Sequence, residues 1–241
     1  MIENSSTPRY STPTLKKSQP PVTTRSPRKP RTPANGSDAR REELLALGGR
    51  LFGNQPYSAV GIEDIAREAG VAKGLLYYYF GDKRGFYVAT VQRAAEELFA
   101  AAAPDPDLPA LQRLLRALDA YLRFAEERPE VFRTVILGHA DADPDVRAIY
   151  EAGRQMLISE AAEGLFGTRN PSPVLRAAMA GFAGLLEGLT EHWQQDQELE
   201  REQIVQLVIA ALPAIFSAAQ SVDPTIQIDP EVSALLSAAP E

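Results

Sequence analysis

The chain has 241 residues, 44% of them apolar and none of them cysteine; this allows one or two domains with a sizeable core and excludes a disulfide framework or a thiolate metal site. The net charge of −7 is unevenly spread: residues 1–37 carry +6, residues 38–103 carry −1 and residues 104–241 carry −12, so contact with a polyanion falls to the N-terminal part. No apolar segment follows the first methionine. The longest apolar run, 207–219, is interrupted by Pro213 and shorter than the roughly 18 residues that cross a bilayer, so we expect a cytoplasmic chain with no signal peptide and no membrane partner.

Residues 1–37 are rich in Ser, Thr and Pro with scattered Arg and Lys, a composition that predicts disorder. The run TRSPRKPRTP reads either as a solvated tail or as a basic arm that follows phosphates. Either way its cations favour non-specific attraction to DNA.

The segment IEDIAREAGVAKGLLYYYFGDK, residues 62–83, predicts a helix-turn-helix. Ile62, Ile65, Ala66 and Ala69 recur on one apolar helical face, and Gly70 stands where a helix end turns left-handed. A second helix follows from Ala72 to Phe80, with Leu76 and Phe80 pointing inward. Lys73 with Tyr77, and Gly74 with Tyr78, then form two outward stripes. That face suits a DNA groove: Lys73 offers charge to a phosphate or guanine edge, Gly74 permits close approach, and Tyr77, Tyr78 and Tyr79 offer hydroxyl donors on stiff rings. Asp82 can cap the next helix, leaving its first amides and Lys83 as a phosphate site.

GVAKGLLYYYFGDK resembles the tetracycline-repressor (TetR) family of bacterial transcription regulators, whose pattern runs Gly-Val-Ser-Lys-Gly-x-Leu-Tyr-x-Tyr/His-Phe-x-x-Lys. Leu44, Leu45, Leu51, Phe52, Tyr57, Ile65 and Ala66 fall where that family places its three-helix core, so the resemblance covers roughly residues 40–90. It implies DNA contacts by Lys73, Gly74, Tyr77, Tyr78, Tyr79 and Lys83. The chain departs from the pattern at Pro56, where the family has glycine, at Val60 and Gly61, where it has threonine or serine, and at Leu75, often serine or threonine. The first helix of the motif therefore lacks a hydroxyl cap, a loss of a few tenths of a kcal/mol with glycine in its place. Leu75 offers an apolar side chain to a thymine methyl instead of a hydrogen bond.

A helix over 82–103 follows, closed by Pro104, Pro106 and Pro109, and the spacing predicts further helices near 108–127, 129–138, 144–166, 173–195 and 200–219. Asp143-Pro144 and Ser172-Pro173 each place a cap before a proline at the first helical position. With no strand-like run, the fold class is all-α. We partition the chain into a basic tail (1–37), a DNA-binding domain (38–84), a helical effector-binding and dimerisation domain (85–221) and an acidic C-terminal tail (222–241).

Small residues on the helix from 173, among them Ala178, Gly181, Leu185 and Gly188, read as a flat face for another helix, with Leu212 in the bulkier partner stripe of the last helix. These faces either join two copies in a four-helix bundle, as the resemblance implies, or complete a monomer core. Pro213 should kink the last helix. Tyr121, Phe124, Phe132, His139, Tyr150 and Phe182 either fill the core or line a cavity for an unknown small-molecule effector, which the resemblance implies there. His139 and His192 have no ligand cluster, and we find no phosphate-binding glycine loop and no nucleophile-base pair, so we expect no metal, no cofactor and no enzyme. The functional expectation is a dimeric repressor on a palindromic double-stranded DNA operator, released by an effector; the alternative is a DNA-binding protein controlled by a protein partner or acting architecturally.

Overall fold

Capping residues set where the helices begin. In the computed structural model, which describes residues 35–103, 105, 107–138, 143–196, 198–228 and 233, every regular element is helical. The basic tail almost entirely, Pro104, Pro106, His139 and most of the acidic C-terminal segment lie outside those residues. The helices are α1 (Asn35–Asn54), α2 (Ile62–Glu68), α3 (Lys73–Phe80), α4 (Lys83–Ala101), α5 (Ala110–Glu127), α6 (Pro129–Gly138), α7 (Pro144–Phe166), α8 (Pro173–Asp196) and α9 (Arg201–Val222), with a single 3-10 turn at Tyr57–Ala59.

Asp82 accepts from the Gly85 amide at 2.7 Å and starts α4, while Asp143 accepts from the Asp145 amide at 3.0 Å ahead of Pro144 and starts α7. The Ser172 hydroxyl accepts from the Leu175 amide at 3.3 Å at the start of α8. At α9 the Glu200 amide donates to the Gln203 side chain at 2.8 Å. Each such cap satisfies a backbone donor that no helical carbonyl can reach.

Three buried clusters hold the fold. The first joins α1, α2, α3 and the start of α4 through Leu44, Phe52, Ile65, Leu76, Phe86 and Val91. The second joins the end of α4 to α5 and α6 and reaches α7, α8 and α9, with Leu98, Leu122, Phe132 and Val135 at its centre. The third packs α7 against α8 and α9 through Ala162, Met179, Leu212 and Phe216. Each large apolar side chain buried this way contributes roughly 1.5–3 kcal/mol. Between α4 and α7 the approach is so close that a Cβ on Gly153 would sit inside the Phe99 ring.

Two corrections to the sequence reading concern α9. Leu212 is 2% exposed and, with Ile204, Val208 and Phe216, belongs to the protomer's own core, because these residues form the stripe that faces α8 and α5. The helix also runs unbroken through Pro213 for 22 residues, longer than the apolar run 207–219 suggests, so by length and composition alone it could cross a membrane. One stripe of that apolar surface is spent in the chain's own core.

Candidate nucleic-acid interface and internal cavity

At the N-terminal end, α2 begins at Gly61, which has no side chain to cap it; Glu63 and Asp64 in its first turn face the positive end of the helix dipole instead. The chain then reverses at Gly70, whose φ of 65° is left-handed, and the Val71 amide donates to the Ala66 carbonyl at 2.9 Å. This tight turn fixes α3 across α2.

Leu76, 1% exposed, anchors α3 in the core, and Phe80 packs edge-on against Phe86 with centroids 4.9 Å apart. Lys73, Gly74, Tyr77 and Tyr78 all project to the surface, with Tyr77 46% and Tyr78 79% exposed. Rings of that size left in water on consecutive positions form a ready contact surface. Tyr79 behaves differently: it is half-buried against the N-terminal core, with its ring 5.9 Å from that of Phe80. Leu75 is also half-buried.

Two of the cations have partners that sequence reading missed. The Lys73 ammonium donates to the Glu63 carboxylate across the α2–α3 turn. That hydrogen bond, the first cause for each group, holds the Glu63 carboxyl below its usual range and the Lys73 ammonium above its own. Lys83, at the first position of α4, places its ammonium 4.1 Å over the Tyr57 ring, which itself stacks on Phe52. Lys83 is thus oriented beside the open amides of α4. Neither pairing is legible from a helical period, since each joins residues on different elements.

Next to Lys83, Arg84 reaches across to α7. Its Nε and Nη2 donate to the two oxygens of Asp143 at 2.7 and 2.9 Å, and Nη2 donates to Asp145 at 2.5 Å. Burial raises the Asp143 carboxyl, but the hydrogen bonds from Arg84 and from the first amides of α7 outweigh this and hold it below its usual range. The segment that follows α3 is thereby clasped to the helix behind it.

An internal cavity of about 140 Å³ lies among α4, α5, α6, α7, α8 and α9. Tyr121, Tyr150 and Phe182 line it. Phe124 and Phe132 do not: Phe132 is buried edge-on against Tyr121 with centroids 5.4 Å apart, and Phe124 packs under the Arg128 guanidinium at 5.6 Å. His139 lies outside the described residues. Polar groups that the sequence reading did not select also reach the lining: Arg154 donates to Glu187 at 3.3 Å and to the Ala180 carbonyl at 2.7 Å, spanning α7 and α8. Arg113 donates to the Leu108 carbonyl at 3.1 Å. Burial, then a hydrogen bond to Glu187, pushes the Tyr150 hydroxyl well above its usual range. Burial does the same for Tyr121.

On the opposite side of α8, Ala177, Gly181, Gly184 and Gly188 form an exposed stripe at three-and-four spacing, with Ala178 and Leu185 half-buried at its edge. Leu207, Ala210, Ala214 and Ala218 continue the small apolar surface on α9.

A helix-turn-helix at the N-terminal end, followed by a helical body with a cavity, is the architecture of a DNA-binding regulator of transcription. Residues 44–90 match the model of the bacterial regulatory proteins of the tetR family. Over 113 residues the chain is 32% identical to the HTH-type transcriptional activator FasR of Mycolicibacterium smegmatis, covering 46% of this chain and about half, 52%, of FasR. It is 29% identical over 158 residues to the HTH-type transcriptional regulator BetI of Rhizobium meliloti, covering 62% of this chain and 75% of BetI. The crystal structure of a tetR-family transcriptional regulator from Streptomyces coelicolor superposes with a TM-score of 0.68 at 25% identity, over 83% of this chain and 87% of that one. Residues 44–90 thus carry the helix-turn-helix of the TetR family of bacterial transcriptional regulators, and the whole helical fold is similar to that of a TetR-family regulator.

Proposed function

We propose that this chain is a homodimeric transcriptional repressor that binds a palindromic operator through residues 38–84 and is released when a small molecule occupies the cavity of residues 85–221. One observation carries the reading: α4 lines the cavity with Leu98 and Phe99, followed by its C-cap Ala102, and begins at Lys83, directly after the recognition helix α3. A ligand that displaces the end of α4 therefore moves Lys83, Tyr77 and Lys73 against a fixed operator spacing. The sign of regulation belongs to the proposal, since FasR is named an activator and KstR2 of Rhodococcus jostii a repressor. The cavity supports control by a small molecule over control by a protein partner alone. The role places the protein in the cytoplasm, with the basic tail adding non-specific attraction to DNA.

Selection of bound sequences from a random duplex pool tests the reading. A two-fold-symmetric site with half-sites about one helical turn apart is expected; binding that responds to salt but enriches no sequence would overturn it.

A further inference from the structure

The chemistry of the cavity selects its occupant, granted the reading above that a small molecule binds there. The wall is largely aliphatic and aromatic, with Leu98, Phe99, Leu157, Phe182, Leu186 and Phe216 contributed by α4, α7, α8 and α9. At 10–15 Å³ per water-sized group, 140 Å³ admits roughly ten non-hydrogen atoms. Arg113 and Tyr121 both line it and lie eight residues apart on α5, so the space is elongated, about 12 Å along that helix.

Charge at the Tyr121 end is already balanced. Arg154 and Glu187 are paired across α7 and α8, Arg154 also holds the Ala180 carbonyl, and Glu187 also takes the Tyr150 hydroxyl. A carboxylate placed there would face Glu187 in an apolar wall, and a cation would face Arg154; either leaves a desolvated charge without a counterion. At that end one polar side-chain atom has no hydrogen-bond partner. The Tyr121 hydroxyl is fully buried on the cavity wall and makes no hydrogen bond of normal geometry. The Thr190 hydroxyl, which gives its own proton to the Leu186 carbonyl at 2.7 Å, is near enough to influence the Tyr121 hydroxyl but does not accept from it in hydrogen-bonding geometry. A buried donor left this way is stabilised by an acceptor brought in from outside.

We infer that the cavity takes a neutral, elongated, predominantly hydrocarbon molecule of about ten non-hydrogen atoms, carrying one carbonyl-type oxygen that accepts the Tyr121 proton. The molecule excludes water from the wall, and its single acceptor fixes its direction along α5.

The test uses the full chain, the probes 2-decanone, 1-decene, decanoate and heptyltrimethylammonium, of about ten to twelve non-hydrogen atoms each, and direct calorimetric or thermal-shift titration. The ketone should bind about tenfold more tightly than either charged probe. The Tyr121→Phe variant, which keeps the ring and its contact with Phe132, should weaken the ketone about five- to tenfold and leave 1-decene unchanged. Tighter binding of decanoate or the ammonium, equal ketone affinity in Tyr121→Phe, or no binding of any probe overturns the ligand class. Operator affinity measured in the same samples separates the two readings. Ketone binding that depends on Tyr121 but leaves DNA affinity unchanged keeps the ligand class and removes effector control. DNA release by a charged probe does the reverse.

Discussion

Lys73 and Tyr77 stand one turn apart on α3 and, in the proposed complex, meet DNA on different terms. Tyr77 is about half exposed and touches little of the core, so Tyr77→Ala should weaken operator binding by roughly 1–3 kcal/mol with the unfolding midpoint unchanged, as fluorescence anisotropy and thermal denaturation would show. Lys73 must first exchange Glu63 for a phosphate. An exposed pair of this kind is weak, so Glu63→Gln should tighten DNA binding by up to about fivefold, through the freed ammonium and the removed like charge. Unchanged or weaker binding in that variant would show that Glu63 does not compete. The pH dependence follows from the two shifts. The raised Lys73 keeps its proton until pH rises through a value above 10.5, and the lowered Glu63 keeps its charge until pH falls through a value below 4.5. The pair therefore persists between those limits, and Lys73 brings no titration of DNA affinity near neutral pH.

Among the elements, the joints of α7 matter most, because this helix both lines the cavity and clasps the start of α4. Gly153→Ala would drive a methyl into Phe99, which separates α7 from α4; we expect a loss of about 1–3 kcal/mol in urea unfolding, and a double variant with Phe99→Ala that loses less than the two single changes together. Additive losses in the double variant would rule out that contact as the cause. At the other end Asp143 serves as cap and as anchor for Arg84, so Asp143→Ala should cost about 1 kcal/mol, more than Arg84→Ala, whose guanidinium is half exposed. The Asp143 carboxyl is lowered in the folded chain, so its contribution is present above pH 3.8, the ordinary value, and is lost as pH falls through the folded one. Acid unfolding of Asp143→Ala should accordingly depend less on pH below about 4. Helix starts at 144 and 173 and the inward set Ile62, Ile65 and Leu76 were legible in the sequence, because caps and helical periods are local. The separation of Phe124 and Phe132 from the cavity, the Lys73–Glu63 pair and the Arg154–Glu187 bridge were not. Each depends on how distant helices rotate against one another, and a single chain does not encode that rotation in its spacing.

For the whole molecule, the exposed small-residue stripe of α8 decides between a closed protomer and half of a dimer. Leu212 read as interface but is core, and this narrows the candidate contact to Ala177, Gly181, Gly184 and Gly188 with Leu207 and the alanines of α9 beside them. A Cβ added at Gly181, Gly184 or Gly188 meets nothing within 4 Å in the protomer, so a larger side chain there strains no intrachain contact. In an exposed helix interior, replacing glycine by a residue of good helix propensity stabilises by about 0.5–1 kcal/mol. Gly184→Glu thus separates the two cases. If the stripe is solvent-facing in the working protein, the variant should unfold at a slightly higher urea concentration and keep its mass in solution. If two α8 helices pack through it, the added carboxylates meet across the symmetry axis in a contact sized for glycine. We expect the second result: a halved mass by analytical ultracentrifugation, a folded and no less stable protomer, and affinity for a two-half-site operator that drops while non-specific, salt-sensitive binding persists. An unchanged mass with unchanged operator binding would move the dimer contact elsewhere on the molecule.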